Sequence, residues 1–268
     1  MNTRFVIRGF LIALPATLIG LTVGLALLIA QTPIGQPPDP TPLPPTILAP
    51  RGELPAGPVG LEEWAQYRGE PYVWAGSGFL IRLGDGEIVG VTAAHSVALG
   101  DPARPLEQIG LRVAGQADFV AEFDTLRGRP GKPLTPGDFT IDYVLLQATQ
   151  SVDSSFVLTP DPRGAPQPGE RVALFSGLGD GRGGQRVLEG TVQSVGDKAV
   201  WVLMDKLFNP SLMSGSPFVS QHTGQVVGMA VAATLRRNRV LIGVHPIGSI
   251  VRQVETATEF PKIGEYRR

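Results

Sequence analysis

Three short stretches of the sequence each set one reactive side chain among small residues. His95 closes Val91-Thr92-Ala93-Ala94-His95, shortly after Gly76-Ser77-Gly78-Phe79. A strand ending in small residues presents an imidazole at its tip and lets another backbone approach closely, as a general base requires. Asp142 opens the apolar run Asp142-Tyr143-Val144-Leu145-Leu146. A carboxylate at the mouth of such a strand is partly buried and needs a donor, which an imidazole N–H supplies. Asp138 is a nearby rival for that role. Ser214 lies in Met213-Ser214-Gly215-Ser216-Pro217. Glycine beside a serine permits a tight turn that exposes the hydroxyl and turns backbone N–H groups outward.

Taken together, the three define a nucleophile, its base and an orienting acid. Their order is His, Asp, Ser, with steps of 47 and 72 residues. This is the order of the chymotrypsin-type triad, not of subtilisins or α/β-hydrolases, and no G-x-S-x-G elbow occurs in the chain.

Composition removes most competing chemistries. The 268 residues include no Cys, so disulfide scaffolds, thiolate nucleophiles and Cys-based metal sites are excluded. With only three His (His95, His222 and His245), no metal site is expected, and no cofactor is called for. Lys plus Arg total 23 against 24 Asp plus Glu, a formal charge of −1, which argues against a nucleic-acid partner. Gly179-Asp180-Gly181-Arg182-Gly183-Gly184 fits G-x-G-x-x-G, but Gln185–Thr191 reads as a strand, leaving no helix N-terminus for a phosphate.

The elements that must position the three residues read as β-rich. Phe79–Leu83 and Glu87–Thr92 flank Gly84-Asp85-Gly86, a hairpin signal. Apolar or alternating runs follow at Asp142–Gln147, Arg171–Phe175, Val187–Ser194, Ala199–Leu203, Pro217–Ser220, Gln225–Ala232 and Arg239–His245, with turn residues between nearly all of them. Many short strands and few helical patterns predict antiparallel sandwiches or barrels. Only Gly248–Ala257 reads as a surface helix.

The N-terminal part differs in kind. Gly9–Ala30 is a run of 22 uncharged residues, roughly 33 Å as a helix and enough to span a bilayer. Arg4 and Arg8 precede it, which predicts a cytoplasmic tail over 1–8, an anchor over 9–30 and an extracytoplasmic remainder. A cleaved signal peptide with secretion is the alternative. Residues 33–58 contain ten prolines. They predict a linker over 31–60, an extended spacer of up to about 80 Å, with the globular domain spanning 61–268.

Residues 73–257 resemble a trypsin-like serine peptidase domain of the bacterial HtrA/Deg type. The resemblance rests on Gly76-Ser-Gly-Phe79, Thr92-Ala-Ala-His95, Asp142-Tyr-Val-Leu-Leu146 and Ser214-Gly-Ser-Pro217. It implies an all-β fold of two antiparallel six-stranded barrels with a C-terminal helix. His95 and Asp142 are expected on the first barrel and Ser214 on the second, in a cleft that cuts polypeptide through an acyl-enzyme. The backbone N–H groups of Leu212 and Ser214 would form the oxyanion hole. By the same analogy, Phe208 would lie at the base of the specificity pocket and Val231, Ala232 and Ala233 along one wall, which suits an uncharged P1 residue. Leu212 departs from the family, which places glycine there; an added Cβ strains the dihedrals that the hole requires. Met213 replaces the aspartate that pancreatic-type members use for activation. A PDZ domain, common in HtrA-type proteins, is not expected in this chain. The contrasting reading is a non-catalytic module that binds extended polypeptide at the membrane. The sequence leaves oligomeric state open.

Overall fold

A computed structural model describes residues 50–267 apart from 136, 182, 183 and 237. The expected tail over 1–8, the anchor over 9–30 and the linker as far as residue 49 lie outside the described residues. Among the described residues no helix is long and apolar enough to cross a membrane.

Thirteen strands make two sheets among these residues. β1 (Leu61–Tyr67), β2 (Val73–Arg82), β3 (Ile88–Thr92), β4 (Leu106–Arg112), β5 (Phe119–Phe123), β6 (Val144–Gln147) and β7 (Val157–Leu158) share the first. Its order is β5-β4-β1-β2-β3-β6, with β7 running parallel to the far half of β2. β8 (Arg171–Gly179), β9 (Gln185–Val195), β10 (Val200–Met204), β11 (Pro217–Ser220), β12 (Val226–Arg236) and β13 (Arg239–Pro246) close a barrel in the order β10-β13-β12-β11-β8-β9. Helix α1 (Ile247–Thr256) follows β13 directly. The β2–β3 turn forms as its residues dictate: Gly86 takes φ +90°, and Leu83 and Glu87 pair across it at 2.9 Å.

The expectation of two six-stranded barrels holds for the second sheet and is corrected for the first. That sheet has seven strands, and no continuous ladder joins β5 to β6. The chain breaks strand geometry at Asp124, whose carboxylate accepts from Thr125 Oγ1 at 2.6 Å and Lys262 Nζ at 2.8 Å. Beyond the break, backbone bonds alternate between two neighbours. The Thr125 carbonyl accepts from Gln147 and the Arg127 N–H donates to Leu145, both on β6. The Asp124 carbonyl accepts from Ile263 and the Leu126 N–H donates to Pro261. A late segment of the chain therefore caps an irregular seam where β5 and β6 would have to pair to close a barrel.

Three apolar cores follow from this arrangement. The interior of the first sheet holds Leu61, Leu80, Ile109, Leu111, Phe123 and Leu146. Inside the second barrel lie Val172, Leu174, Val202, Met213, Phe218 and Val244. Between the two, Phe79, Val91 and Tyr143 pack on Phe175, Met229 and Val231, and α1 adds Ile247, Ile250 and Val254. The 3–4 spacing of those three residues puts them on one face of the helix.

The chain enters along the second barrel. Arg51 and Gly52 both donate their N–H to the Gln221 carbonyl at 3.2 Å, and Val59 is buried. Close by, Arg163 bridges two fully buried carboxylates, Asp161 at 2.6 Å and Glu170 at 2.9 Å. Thr223 Oγ1 donates to Asp161 at 2.7 Å, which ties the β11–β12 turn to this cluster.

Candidate active site

β3 carries the chain from Ile88 to Thr92, and the buried pair Ala93-Ala94 turns it so that His95 emerges beyond the strand end with 17% of its side chain exposed. Asp142 precedes β6, the neighbour of β3, so adjacent strands of one sheet deliver both groups to the same edge. Asp142 is fully buried. Its Oδ2 lies 2.6 Å from His95 Nδ1, and its Oδ1 accepts the His95 backbone N–H at 3.1 Å. An ionised carboxylate only accepts, so Nδ1 carries the proton and Nε2 is left as an acceptor in the neutral ring. Ser214 Oγ stands 2.8 Å from that Nε2, across a separation of 119 residues. The rival Asp138 is otherwise engaged: it accepts from Thr140 N and Oγ1 at 3.0 and 2.6 Å and pairs with Lys198 at 3.2 Å.

The serine turn is built by close approach of the two sheets. Gly215 has φ +92°, and a Cβ there would stand 1.7 Å from the Ser77 carbonyl oxygen, so only glycine fits. Ser77, fully buried on β2, donates its N–H to the Ser214 carbonyl at 3.0 Å and its hydroxyl to the Leu212 carbonyl at 2.9 Å. Its own carbonyl accepts from Thr92 Oγ1 at 2.8 Å. Met213 is buried in the second-barrel core, where an aspartate would need a cationic partner.

Leu212 adopts φ +63°, a left-handed conformation that is uncommon for residues other than glycine, and it is 42% exposed. It occupies the third position of a turn closed by Met213 N and Pro210 O at 3.2 Å. The expected strain is therefore present, and the conformation is adopted nonetheless. The backbone N–H groups of Leu212 and Ser214 have no hydrogen-bond partner among the described residues. Two unpartnered donors beside a nucleophilic hydroxyl are what a developing oxyanion requires.

The expected pocket residues divide between two cores. Phe208 and Ala233 pack against the second-barrel interior, with the Arg186 guanidinium 5.8 Å from the Phe208 ring centroid. Val231 and Ala232 belong to the core between the sheets.

Two buried titratable groups that carry no local sequence signal lie near Asp142. Glu63 on β1 is fully buried, and neither carboxylate oxygen has a hydrogen-bond partner among the described residues. Burial pushes its carboxyl up to about 8, and the neighbouring Asp142 charge adds to the shift. His245, at the end of β13, is buried with both ring nitrogens unpartnered and lies edge-on to the Tyr143 ring at 5.8 Å. Burial pushes it down to about 4, against the pull of nearby Asp142 and Asp138. β8 ends at Gly179 and β9 begins at Gln185, so the element that follows the glycine-rich motif is a strand.

Two antiparallel β units packed around a Ser–His–Asp chain define the class of serine peptidases with the chymotrypsin fold. The family model for the trypsin-like peptidase domain matches residues 76–229, and the chain belongs to that family. A comparison with curated protein sequences returns no match. Among solved structures, the fold is similar to that of kallikrein-related peptidase 10, at 15% identity over 77% of this chain and 97% of that one, with a TM-score of 0.54. It is also similar to catalytically active tobacco etch virus protease complexed with product (14% identity, 82% and 86% of the two chains, TM-score 0.51). A third is the thermostable serine protease AL20 from an extremophilic microorganism (10%, 75% and 98%, TM-score 0.50). At these identities the likeness concerns the fold.

Proposed function

We propose that this chain is a membrane-tethered serine endopeptidase of HtrA/Deg-like type. Ser214 is the nucleophile, His95 the general base and then acid, and Asp142 the group that holds the imidazole tautomer. The observation that carries the proposal is the unbroken chain of contacts from Asp142 through His95 to Ser214 at 2.6 and 2.8 Å. Ser214 Oγ attacks the peptide carbonyl as its proton passes to His95 Nε2. The tetrahedral oxyanion accepts from the N–H groups of Leu212 and Ser214, and one such donor is worth roughly 3–4 kcal/mol in the transition state. The imidazolium then protonates the leaving amine, and water, deprotonated by the same ring, releases the acyl group.

The HtrA/Deg-like assignment is supported by the words Gly76-Ser-Gly-Phe79 and Ser214-Gly-Ser-Pro217. No acidic residue stands among Phe208, Val231, Ala232 and Ala233, which supports an uncharged P1 residue. Tethering, with the peptidase domain on the extracytoplasmic side, is supported by the uncharged run Gly9–Ala30 behind Arg4 and Arg8.

Labelling with a fluorophosphonate probe tests the activity: wild type labels and Ser214→Ala does not. Failure of a folded wild type to label would favour the binding module instead. Amino-terminal analysis of the membrane-bound protein tests the tether, and a mature terminus near Gln31 would indicate cleavage and secretion.

A further inference from the structure

Leu212 is held in a backbone conformation that leucine disfavours by roughly 1–2 kcal/mol, at the position whose N–H faces the developing charge in the reading above. The residue relaxes by turning the Ser211–Leu212 peptide over, which carries that N–H away from Ser214. The structure brackets the peptide on both sides. On one side, Asn209 Oδ1 accepts from the Ser211 N–H at 3.0 Å and from its hydroxyl at 2.7 Å. On the other, the Leu212 carbonyl accepts the Ser77 hydroxyl at 2.9 Å.

Of the two brackets, Ser77 is the rigid one. It is fully buried in β2, whereas Asn209 and Ser211 are exposed. Its N–H, hydroxyl and carbonyl are all engaged: the first two hold Ser214 and Leu212, and the carbonyl receives Thr92 Oγ1 at 2.8 Å. Thr92 stands three residues before His95 at the end of β3, so one buried serine links the histidine strand to the nucleophile turn.

We propose that Ser77 is a positioning residue that holds Leu212 in its left-handed conformation and so keeps the oxyanion site open in the free enzyme. The proposal rests on the peptidase reading. It assigns the hydroxyl, not merely the strand, a part in the reaction. A glycine at 212 takes positive φ without cost and needs no such clamp, so the contributions of Ser77 and Leu212 are coupled.

The experiment measures second-order fluorophosphonate labelling rates for wild type, Ser77→Ala, Leu212→Gly and the double variant between pH 5 and 9, with thermal unfolding as the check on folding. Ser77→Ala is expected to label at least about tenfold more slowly, a partial loss of one oxyanion donor. In the Leu212→Gly background the same change is expected to cost under about threefold. The pH midpoint should stay in place, because His95 is untouched. Equal rates for wild type and Ser77→Ala would overturn the proposal. So would an equal loss in both backgrounds, or a moved midpoint, which would place the effect on the histidine side through Thr92. Should Ser77→Ala fail to fold, Ser77→Cys, which keeps the volume and weakens the donor, must show the same background dependence for the proposal to stand. A folded wild type that does not label at all removes the peptidase reading itself, a result distinct from each of these.

Discussion

Asp142 accepts two hydrogen bonds from the same residue, His95: the ring Nδ1–H at 2.6 Å and the backbone N–H at 3.1 Å. Both oxygens of one buried carboxylate thus fix the position and the tautomer of one imidazole. Asn at this position has a single acceptor oxygen and an NH2 that must face one of the two donors. The ring is then driven to the tautomer with Nε2 protonated, which cannot accept from Ser214. Asp142→Asn should lower kcat by about 10⁴-fold with KM nearly unchanged, measured on a peptide ester that wild type cleaves. A loss below about tenfold would show that Asp142 does not set the tautomer.

Leu212→Gly removes the steric cost of positive φ but adds backbone freedom to the unfolded chain. The first effect is roughly 1–2 kcal/mol and the second roughly 0.5–1 kcal/mol. Urea unfolding should therefore find the variant as stable as wild type or up to about 1.5 kcal/mol more so. A clear loss of stability would mean that the leucine side chain makes contacts that outweigh its strain.

Glu63 and His245 give stability an asymmetric dependence on pH. The Glu63 carboxyl moves from 4.5 to about 8 on folding, so the folded protein holds the proton more tightly. Its contribution is complete below pH 4.5 and is lost as pH rises toward 8, by roughly 1.4 kcal/mol per pH unit at most. His245 moves from 6.5 to about 4; its contribution is complete above pH 6.5 and is lost as pH falls toward 4. The two slopes oppose each other between 4.5 and 6.5, and only the loss due to Glu63 remains above. Unfolding midpoints of Glu63→Gln should be nearly flat from pH 6.5 to 8 and exceed wild type at pH 8. His245→Phe, which keeps a ring against Tyr143, should lose the acid limb. A wild type whose stability rises between pH 6.5 and 8 would contradict the assignment to Glu63.

Arg163 pairs with both Asp161 and Glu170, whose side chains are fully buried. Removing it leaves two buried carboxylates without their cation, which typically costs about 3–5 kcal/mol. Arg163→Met should be destabilised by that order at pH 7 and less at pH 4, because burial of Asp161, no longer opposed by the guanidinium, favours its protonation. A variant unaffected at pH 7 would show the cluster to be solvated.

His95, Asp142 and Ser214, which the structure brings into contact, are legible in the sequence because each lies in a word whose chemistry is local: small residues before His95, an apolar strand after Asp142, glycine beside Ser214. The sequence hides β1 for an equally local reason. Leu61, Glu63, Ala65 and Tyr67 alternate inward along that strand, but a glutamate at an inward position erases the polar–apolar alternation that marks a strand. β4 is obscured by the consecutive polar pair Glu107-Gln108, both partly buried, which interrupts the alternation. Ser77 stood inside a recognised word, yet its hydroxyl bond spans 135 residues, and no one-dimensional pattern carries a contact of that range. The open seam of the first sheet is not legible in the sequence because the backbone that caps it, Pro261 and Ile263, lies far along the chain from Asp124 and Leu126.

The seam of the first sheet has a consequence for the birth of the protein. Residues 261–263 supply its last backbone contacts, and α1 fills the junction between the sheets shortly before them. Both leave the ribosome only after the histidine, the acid and the nucleophile have all been translated. The seam of the first sheet is therefore sealed only when nearly all of the described residues have been synthesised.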